Sequence, residues 1–250
     1  MSLNIQSISA KFNEFSELIN VLSNLNCAPD IICLQEIWRF PTYHNFKLAN
    51  YHLFVYKIRE SSQGGGEGFF VKNSIKFKIL PELSVFSEKI IETLFIEVTI
   101  SNKRFIIGNI YRSGTTHPNL TNTQMYNEFM ELFSNVCDSL IGTGSDVVLM
   151  GDFNIDILQY GSNTRASDYV DLLFSYGFLQ TVAYPTRCTD NSASLIDHVI
   201  TNIKLSTYKS VILSSRVSDH FPVIFSIPLK VPAPIKHKTV QSRVFNETTE

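Results

Sequence analysis

Short apolar runs that end in strongly hydrogen-bonding groups limit what this chain can fold into more than any other feature. Val147-Val148-Leu149-Met150 leads into Gly151-Asp152-Phe153-Asn154, and Ile31-Ile32-Cys33-Leu34 leads into Gln35-Glu36. Downstream, Ser218-Asp219-His220 precedes the run Pro222-Val223-Ile224-Phe225. Runs of this length with β-branched and aromatic residues fit strands buried on both faces. A carboxylate or amide ending such a run marks the rim of a sheet, because inside it would lose hydration without compensation. Three rims that carry acid, amide and imidazole groups predict a sheet-based fold with polar strand ends.

The rest of the pattern fills in that fold. Phe12, Phe15, Leu18, Ile19, Leu22 and Leu25 recur at three- and four-residue spacing and predict an amphipathic helix from Lys11 to Leu25, closed by Pro29-Asp30. Strands are expected at Ile31 to Leu34, Leu53 to Tyr56 and Phe69 to Val71. Leu94, Ile96, Val98 and Ile100 alternate with polar residues as in a half-buried strand, with Lys103 to Tyr111 as its hairpin partner across Ser101-Asn102. A second helix is expected from about Thr123 to Leu140 behind a threonine cap, and a third near Ala166 to Tyr176, stopped at Gly177. Strands return at Leu195 to Thr201, Val211 to Leu213 and Val223 to Ile227. Many strands and few helices predict two packed sheets with helices outside, of the α/β (α+β) class, and not a regular βαβ alternation. Gly64-Gly65-Gly66-Glu67-Gly68 lacks the Lys-Ser/Thr of a phosphate loop and precedes a strand, so it is expected to be a flexible turn.

With 250 residues and 44% hydrophobic side chains, the chain can build one sizeable core. After Ile227 the pattern gives way to Pro228, Pro232 and Pro234 among basic residues, so residues 1 to 228 are expected to form the domain and 229 to 250 a linker or tail. The domain then carries 17 Lys and Arg against 21 Asp and Glu, a net charge of -4. A fold gripping phosphate backbone mainly by charge would be basic, so modest non-specific DNA affinity is expected. No apolar run is long enough to span a bilayer and no signal-peptide pattern opens the chain. Cys27, Cys33, Cys137 and Cys188 form no CxxC pair, and four free thiols in a reducing, intracellular compartment are expected.

Hydrolysis of a phosphodiester needs a divalent cation, a group that orients or deprotonates water, and donors to the developing charge. Glu36 is the natural ligand for a hard cation, and Asp219 could complete the metal site. Asp152 could handle the water, with Asn154 on the same face donating to the phosphate if the strand persists. His220 could donate as imidazolium if a carboxylate such as Asp197 raises its pKa. Taken singly each has a plainer reading, since an Asp after a strand is more often a turn or cap and a His beside Asp is more often a satisfied side chain. Their joint occurrence at strand ends is what favours chemistry.

Asn4, Gln35-Glu36, Asn109-Ile110-Tyr111, Gly151-Asp152-Phe153-Asn154, Ser194-Leu195-Ile196-Asp197 and Ser218-Asp219-His220, in this order, resemble the endonuclease/exonuclease/phosphatase superfamily. Asn4-Ile5-Gln6-Ser7-Ile8, Gly177-Phe178-Leu179-Gln180 and Pro185-Thr186-Arg187 are more narrowly similar to the apurinic-type endonuclease domain of non-LTR (LINE-type) retrotransposons. The resemblance spans about residues 2 to 228. It implies a DNase-like four-layer sandwich of two mixed β-sheets flanked by helices. It also implies a magnesium (or manganese) dependent endonuclease that nicks one strand of double-stranded DNA, leaving 5′-phosphate and 3′-hydroxyl ends. Glu36 and Asp219 would serve the metal. Asp152, Asn154, His220, Tyr111, Asp197 and Asn4 would be catalytic, and Asn109, Arg112, Thr186, Arg187 and Ser194 would contact substrate. A reverse transcriptase domain in a longer element would be the partner, and genomic DNA as target would place the protein in the nucleus.

Two departures from the family pattern carry alternatives. Gln6 stands where repair endonucleases have an Asp near the metal, and only three residues precede Asn4, so the strand bearing it is expected to be stunted. A catalytically degenerate remnant is therefore one alternative. A phosphatase of the same superfamily, acting on a phosphorylated lipid or small molecule, is the other.

Overall fold

The computed structural model describes residues 1–41, 43–204 and 208–229, so the tail expected over 229 to 250 lies outside the described residues except for Leu229. In chain order the strands are β1 (Ser2–Asn4), β2 (Ile31–Gln35), β3 (Val55–Lys57), β4 (Glu67–Val71), β5 (Phe77–Ile79), β6 (Phe86–Ser87), β7 (Ile91–Ile100) and β8 (Lys103–Arg112). They continue with β9 (Asp146–Asp152), β10 (Leu179–Gln180), β11 (Arg187–Cys188), β12 (Ala193–Ser194), β13 (Asp197–Thr201), β14 (Lys209–Ile212) and β15 (Val223–Ser226). Helices α1 (Ile8–Asn24), α2 (Asn122–Gly142) and α3 (Thr164–Ser175) lie between them. One sheet runs β14-β15-β1-β2-β4-β3 and the other β10-β13-β9-β8-β7-β5, with β6 added to β7. β1 is parallel to β2 and β8 to β9, whereas β7–β8 and β9–β13 are antiparallel, so both sheets are of mixed or alternating sense.

Strand alternation sorts side chains into three apolar layers. Leu3, Ile32, Leu34 and Phe70 face outward against Phe15, Ile19 and Leu22 of α1. Ile106, Ile110, Val147 and Leu149 face the other way, against Phe129, Phe133 and Val136 of α2 and Tyr169 and Leu173 of α3. Between the sheets lie Cys33, Phe69, Leu94, Ile96, Phe105, Ile107, Val148, Met150 and Val199. This is the four-layer α/β sandwich expected. Burial of an aromatic such as Phe15 or Phe129 makes each outer layer worth several kcal/mol, because Phe→Ala in a core costs about 3–5 kcal/mol.

Local chemistry fixes the boundaries. α1 begins earlier than periodicity suggests, because the Ser7 hydroxyl accepts from Ala10 N–H. α2 opens on a capping box between Thr121 and Gln124. Gly177 follows α3 at φ 71°, the left-handed position that ends a helix. Ser101 and Asn102 take φ 52° and 62° between Ile100 and Lys103, a two-residue hairpin turn matched to strand twist. The half-buried strand expected around Leu94 is instead buried almost throughout Ile91 to Val98. It lies inside a sheet covered by helices on one face and by the other sheet on the second. Asn154 does not sit on a continuing strand: β9 ends at Asp152 and Asn154 turns back at φ 48°. The glycine-rich turn is not loose either. Ile37, Trp38 and Arg39 donate to Gly66, Gly65 and Gln63, which extends the β2–β4 pairing past the strand ends. All four cysteines are free, with Cys33 and Cys137 buried and Cys27 and Cys188 exposed. No helix among the described residues is long and apolar enough to cross a membrane.

Candidate active site

The inward-facing side chains change character at one pole of the inter-sheet layer. On β8, Phe105 and Ile107 give way to Asn109 and Tyr111; on β9, Val148 and Met150 give way to Asp152; on β13, Val199 gives way to Asp197. Pairing brings these ends together, since Tyr111 and Asp197 both lie opposite Asp152, and Asn4 lies opposite Gln35. Short as it is, β1 is held between β15 and β2, and Asn4 is fully buried.

Asn4 joins the two sheets. Its Nδ2 donates to Glu36 Oε1 at 2.9 Å and to Asp152 Oδ2 at 2.8 Å, so one amide touches both carboxylates. Glu36 also accepts from the Tyr111 hydroxyl at 3.0 Å and from Trp38 Nε1 at 3.1 Å. Burial and then the nearby Glu36 carboxylate push the Tyr111 pKa up, so the phenol keeps its proton. Glu36 is half-buried, whereas Asp152, Asp197 and His220 are buried.

Asp152, Asp197 and His220 form the charged centre, with ligand-type atoms within 4.8 Å of one another, and such a group could bind a metal ion. His220 Nδ1 lies 2.9 and 3.0 Å from the two Asp197 oxygens, and its Nε2 lies 3.9 Å from Asp152 Oδ2. The Thr186 hydroxyl donates to Asp197 Oδ2 at 2.6 Å and accepts from the Asp197 N–H, fixing that carboxylate. Burial opposes an imidazolium at His220, but Asp197, Asp152 and Asp219 outweigh it and raise the pKa to about 9. Burial and then the Asp197 charge push Asp152 up to about 7, against the lowering pull of His220 and Asn4. The surrounding carboxylates thus favour an imidazolium at His220, and burial beside Asp197 favours a proton on Asp152. Asn154 N–H donates to Asp152 Oδ1 at 2.9 Å, and its side-chain amide is held by Arg112 O at 2.7 Å and Asp152 at 3.2 Å.

The expected substrate contacts fare differently. Asn109 is fully buried and its amide is used within the fold, donating to Leu34 O and Gly68 O and accepting from Gln35. It ties the sheets together and presents nothing to a substrate. Arg112 lies over the Phe129 ring and donates to the carbonyls of Phe153 and Asn154, so it pins the Asp152–Asn154 turn from behind. Thr186 is buried beneath Asp197. Arg187 is half-exposed and paired through Nε and Nη2 with Asp219 Oδ2 at 2.9 and 2.6 Å. That pairing spends one Asp219 oxygen on an ion pair, while the other lies 3.9 Å from His220 Nε2. Ser194 pairs with Arg187 in the β11–β12 hairpin.

Sequence reasoning gave no role to three residues beside the site. Gln35 bonds Asn109 on the opposite sheet and Ser2 on the neighbouring strand of its own. Trp38 donates to Glu36, and its place two residues after that glutamate was the available signal. Glu67 is fully buried, with no side-chain partner for either oxygen among the described residues, and burial followed by Glu92 pushes its pKa well above the carboxylate range, against the lowering pull of Lys57 and the Tyr111 backbone. Its glycine-rich setting gave no hint that it points inward. Beside it, Glu92 forms a buried ion pair with Arg59.

This architecture has many solved counterparts. The endonuclease domain of TRAS1, a telomere-specific non-LTR retrotransposon, superimposes with a TM-score of 0.65 at 14% identity, covering 92% of this chain and 98% of that one. An AP endonuclease, LMAP, from Leishmania major gives 0.67 at 14% identity over 89% and 85%. A 3′ phosphatase, NExo, from Neisseria, solved bound to a product DNA hairpin, gives 0.61 at 16% identity over 91% and 98%. At these identities the likeness establishes the fold. No curated protein sequence matches the chain. The model of the Endonuclease/Exonuclease/phosphatase family matches residues 1–220, and with the two-sheet sandwich and its polar pole in place, the chain belongs to that family of hydrolytic nucleases and phosphatases.

Proposed function

We propose that the chain is a magnesium-dependent DNA endonuclease that hydrolyses one phosphodiester and nicks one strand of a duplex, leaving 5′-phosphate and 3′-hydroxyl ends. The single observation that carries this reading is the Asn4 amide, which links the Glu36 carboxylate to Asp152 beside a buried His220–Asp197 pair. The donor set fits a hard cation. Glu36 is the half-buried carboxylate of the cluster, and among the described residues its Oε2 accepts only from Trp38, leaving oxygen lone pairs of the kind magnesium takes alongside waters and phosphate oxygens. Gln6, whose Oε1 lies 3.5 Å from Lys11 Nζ, adds no charge. His220 is a poor ligand, because its Nδ1 is bound to Asp197 and its raised pKa keeps it protonated.

A cation held by Glu36 would neutralise phosphate oxygens and lower the proton affinity of the attacking water. Asp152 orients that water and takes its proton, helped by a pKa near neutrality. His220, charged and clamped by Asp197, donates from Nε2 to a phosphoryl oxygen as charge develops there. Tyr111 retains its proton and offers a second donor. Asn154 and Arg112 keep Asp152 and its turn in place. The retrotransposon-like motifs support an element-borne enzyme working beside a reverse transcriptase, on genomic DNA in the nucleus.

The test is nicking of supercoiled plasmid in magnesium, in manganese and in EDTA, by the wild type and by Asp152→Ala and His220→Ala. The reading predicts cation-dependent nicking by the wild type and its loss in both variants. Nicking that survives both substitutions would show that the chemistry lies elsewhere. Gln6 and the Arg187–Asp219 pair, which both take carboxylate charge from the cation, favour a second reading as a degenerate remnant. Folded wild type that binds DNA without nicking it would select that reading. Release of phosphate from phosphorylated lipids or small molecules, with plasmid untouched, would select a phosphatase.

A further inference from the structure

Trp38, the single tryptophan of the chain, has no part in the chemistry above. Its indole N–H donates to Glu36 Oε2 at 3.1 Å, so the ring is tied by its polar end to the carboxylate that would serve the cation. The backbone holding it there is unusual. Glu36 and Trp38 both adopt left-handed φ, 50° and 59°, a region that costs non-glycine residues free energy and persists only where the surroundings impose it. Here the surroundings do so. Trp38 N–H donates to Gly65 O at 2.9 Å, and Gly66 N–H donates to the buried Glu92 that Arg59 neutralises. At Gly65 a Cβ would run into the Arg59 guanidinium, and at Gly66 it would press on Ile37 and the Lys57 carbonyl, so the turn closes only with glycine at both.

This support ends in a half-buried indole. Nearby rings are engaged, Phe40 with Phe46 and Tyr56, and Tyr111 beneath Arg59. Among the described residues no aromatic ring or cation packs on Trp38. We propose that Trp38 is a stacking platform for the nucleobase flanking the scissile phosphate, and so a specificity-determining residue that favours strands whose base at that point has left the helical stack. The inference rests on the nuclease reading above. An indole suits the task, because every base has a π face and one stacked base changes affinity roughly 5- to 150-fold. The N–H end sets the register: the same side chain that meets the base is hydrogen-bonded to the carboxylate beside the reacting phosphate.

As the sole tryptophan, Trp38 also reports on itself. Asp152→Asn protein is titrated with a labelled 12-nucleotide strand and with an abasic sugar-phosphate strand of the same length, following indole emission and label anisotropy. Base-dependent quenching is expected, with no quenching by the abasic strand. In the same background Trp38→Leu should weaken binding of the base-bearing strand roughly 5- to 150-fold. Trp38→Phe should recover most of that loss, and all forms should bind the abasic strand equally. Equal quenching by both strands, or equal affinity of the Leu and Phe variants for the base-bearing strand, overturns the proposal. Plasmid nicking by the wild type judges the nuclease reading separately. Base-dependent quenching without nicking would refute that reading and leave only base stacking by Trp38, with no scissile phosphate beside it, and nicking with base-independent quenching would overturn the platform alone.

Discussion

At one pole of the inter-sheet layer the inward side chains are Asn4, Gln35, Glu67, Tyr111, Asp152 and Asp197; at the other they are Val98, Ile100, Phe105, Ile107, Val148 and Met150. β8 and β9 run through both. The polar pole is knit by hydrogen bonds between sheets, Asn4 to Asp152 and Asn109 to Leu34 among them. The apolar pole opens into a cavity of about 700 Å³ bounded by Ile31, Phe105, Ile107, Val148, Leu213 and Phe225. Stability resides mainly at the apolar pole and chemistry at the polar one. Two buried carboxyl groups with raised pKa values, Asp152 and Glu67, make the polar pole a net cost to stability, offset by the apolar remainder of the same strands. Stability and chemistry should therefore respond to substitution separately.

The sharpest break is between Asp152→Ala and Phe105→Ala. Asp152→Ala should lower the nicking rate roughly 10²- to 10⁴-fold while leaving the melting temperature unchanged or higher, read by plasmid assay and calorimetry. Phe105→Ala should cost about 3–5 kcal/mol of stability and leave nicking per folded molecule at low temperature intact. If the two effects exchange places, the division of roles is wrong. Next in size is Glu67→Leu, expected to stabilise by about 1–3 kcal/mol through removal of an unpartnered buried carboxyl. The sign follows from the raised pKa. The folded state keeps a proton that the unfolded chain releases above about pH 4.3, so Glu67 lowers stability progressively as pH rises. Thermal melts should show the gain growing from pH 5 to pH 9, and a gain independent of pH would count against it. Smallest is Val98→Phe at the cavity wall, expected to add about 0.5–2 kcal/mol with nicking unaltered.

Much of this contrast was legible in the sequence. Val147 to Met150 followed by Asp152 gave both the buried strand and its polar end, and Ser101-Asn102 gave the hairpin of β7 and β8. What could not be read is which side chains meet across the sheets. Asn4 reaches Asp152 across 148 positions, and neither period nor spacing records such a contact. The same gap explains Asn109 and Arg112, polar groups near the motif whose partners turned out to be backbone carbonyls. Arg187, expected to contact substrate, is instead paired with Asp219, a partner that arrives from another strand end. The left-handed turns at Glu36, Trp38 and Asn154 were hidden too, since none of these residues is a glycine.

The account stands on an imidazolium at His220, and NMR titration of that ring tests it most directly. Among the six histidines its signals are assigned by their absence in His220→Gln. The structure predicts a pKa of about 9, falling in Asp197→Asn, which removes the strongest favourable charge. By linkage its contribution to stability is complete below pH 6.5 and is lost as pH rises through 9. A wild-type His220 that titrates at or below 6.5, with no response to Asp197→Asn, would contradict the charged pair on which the site is built.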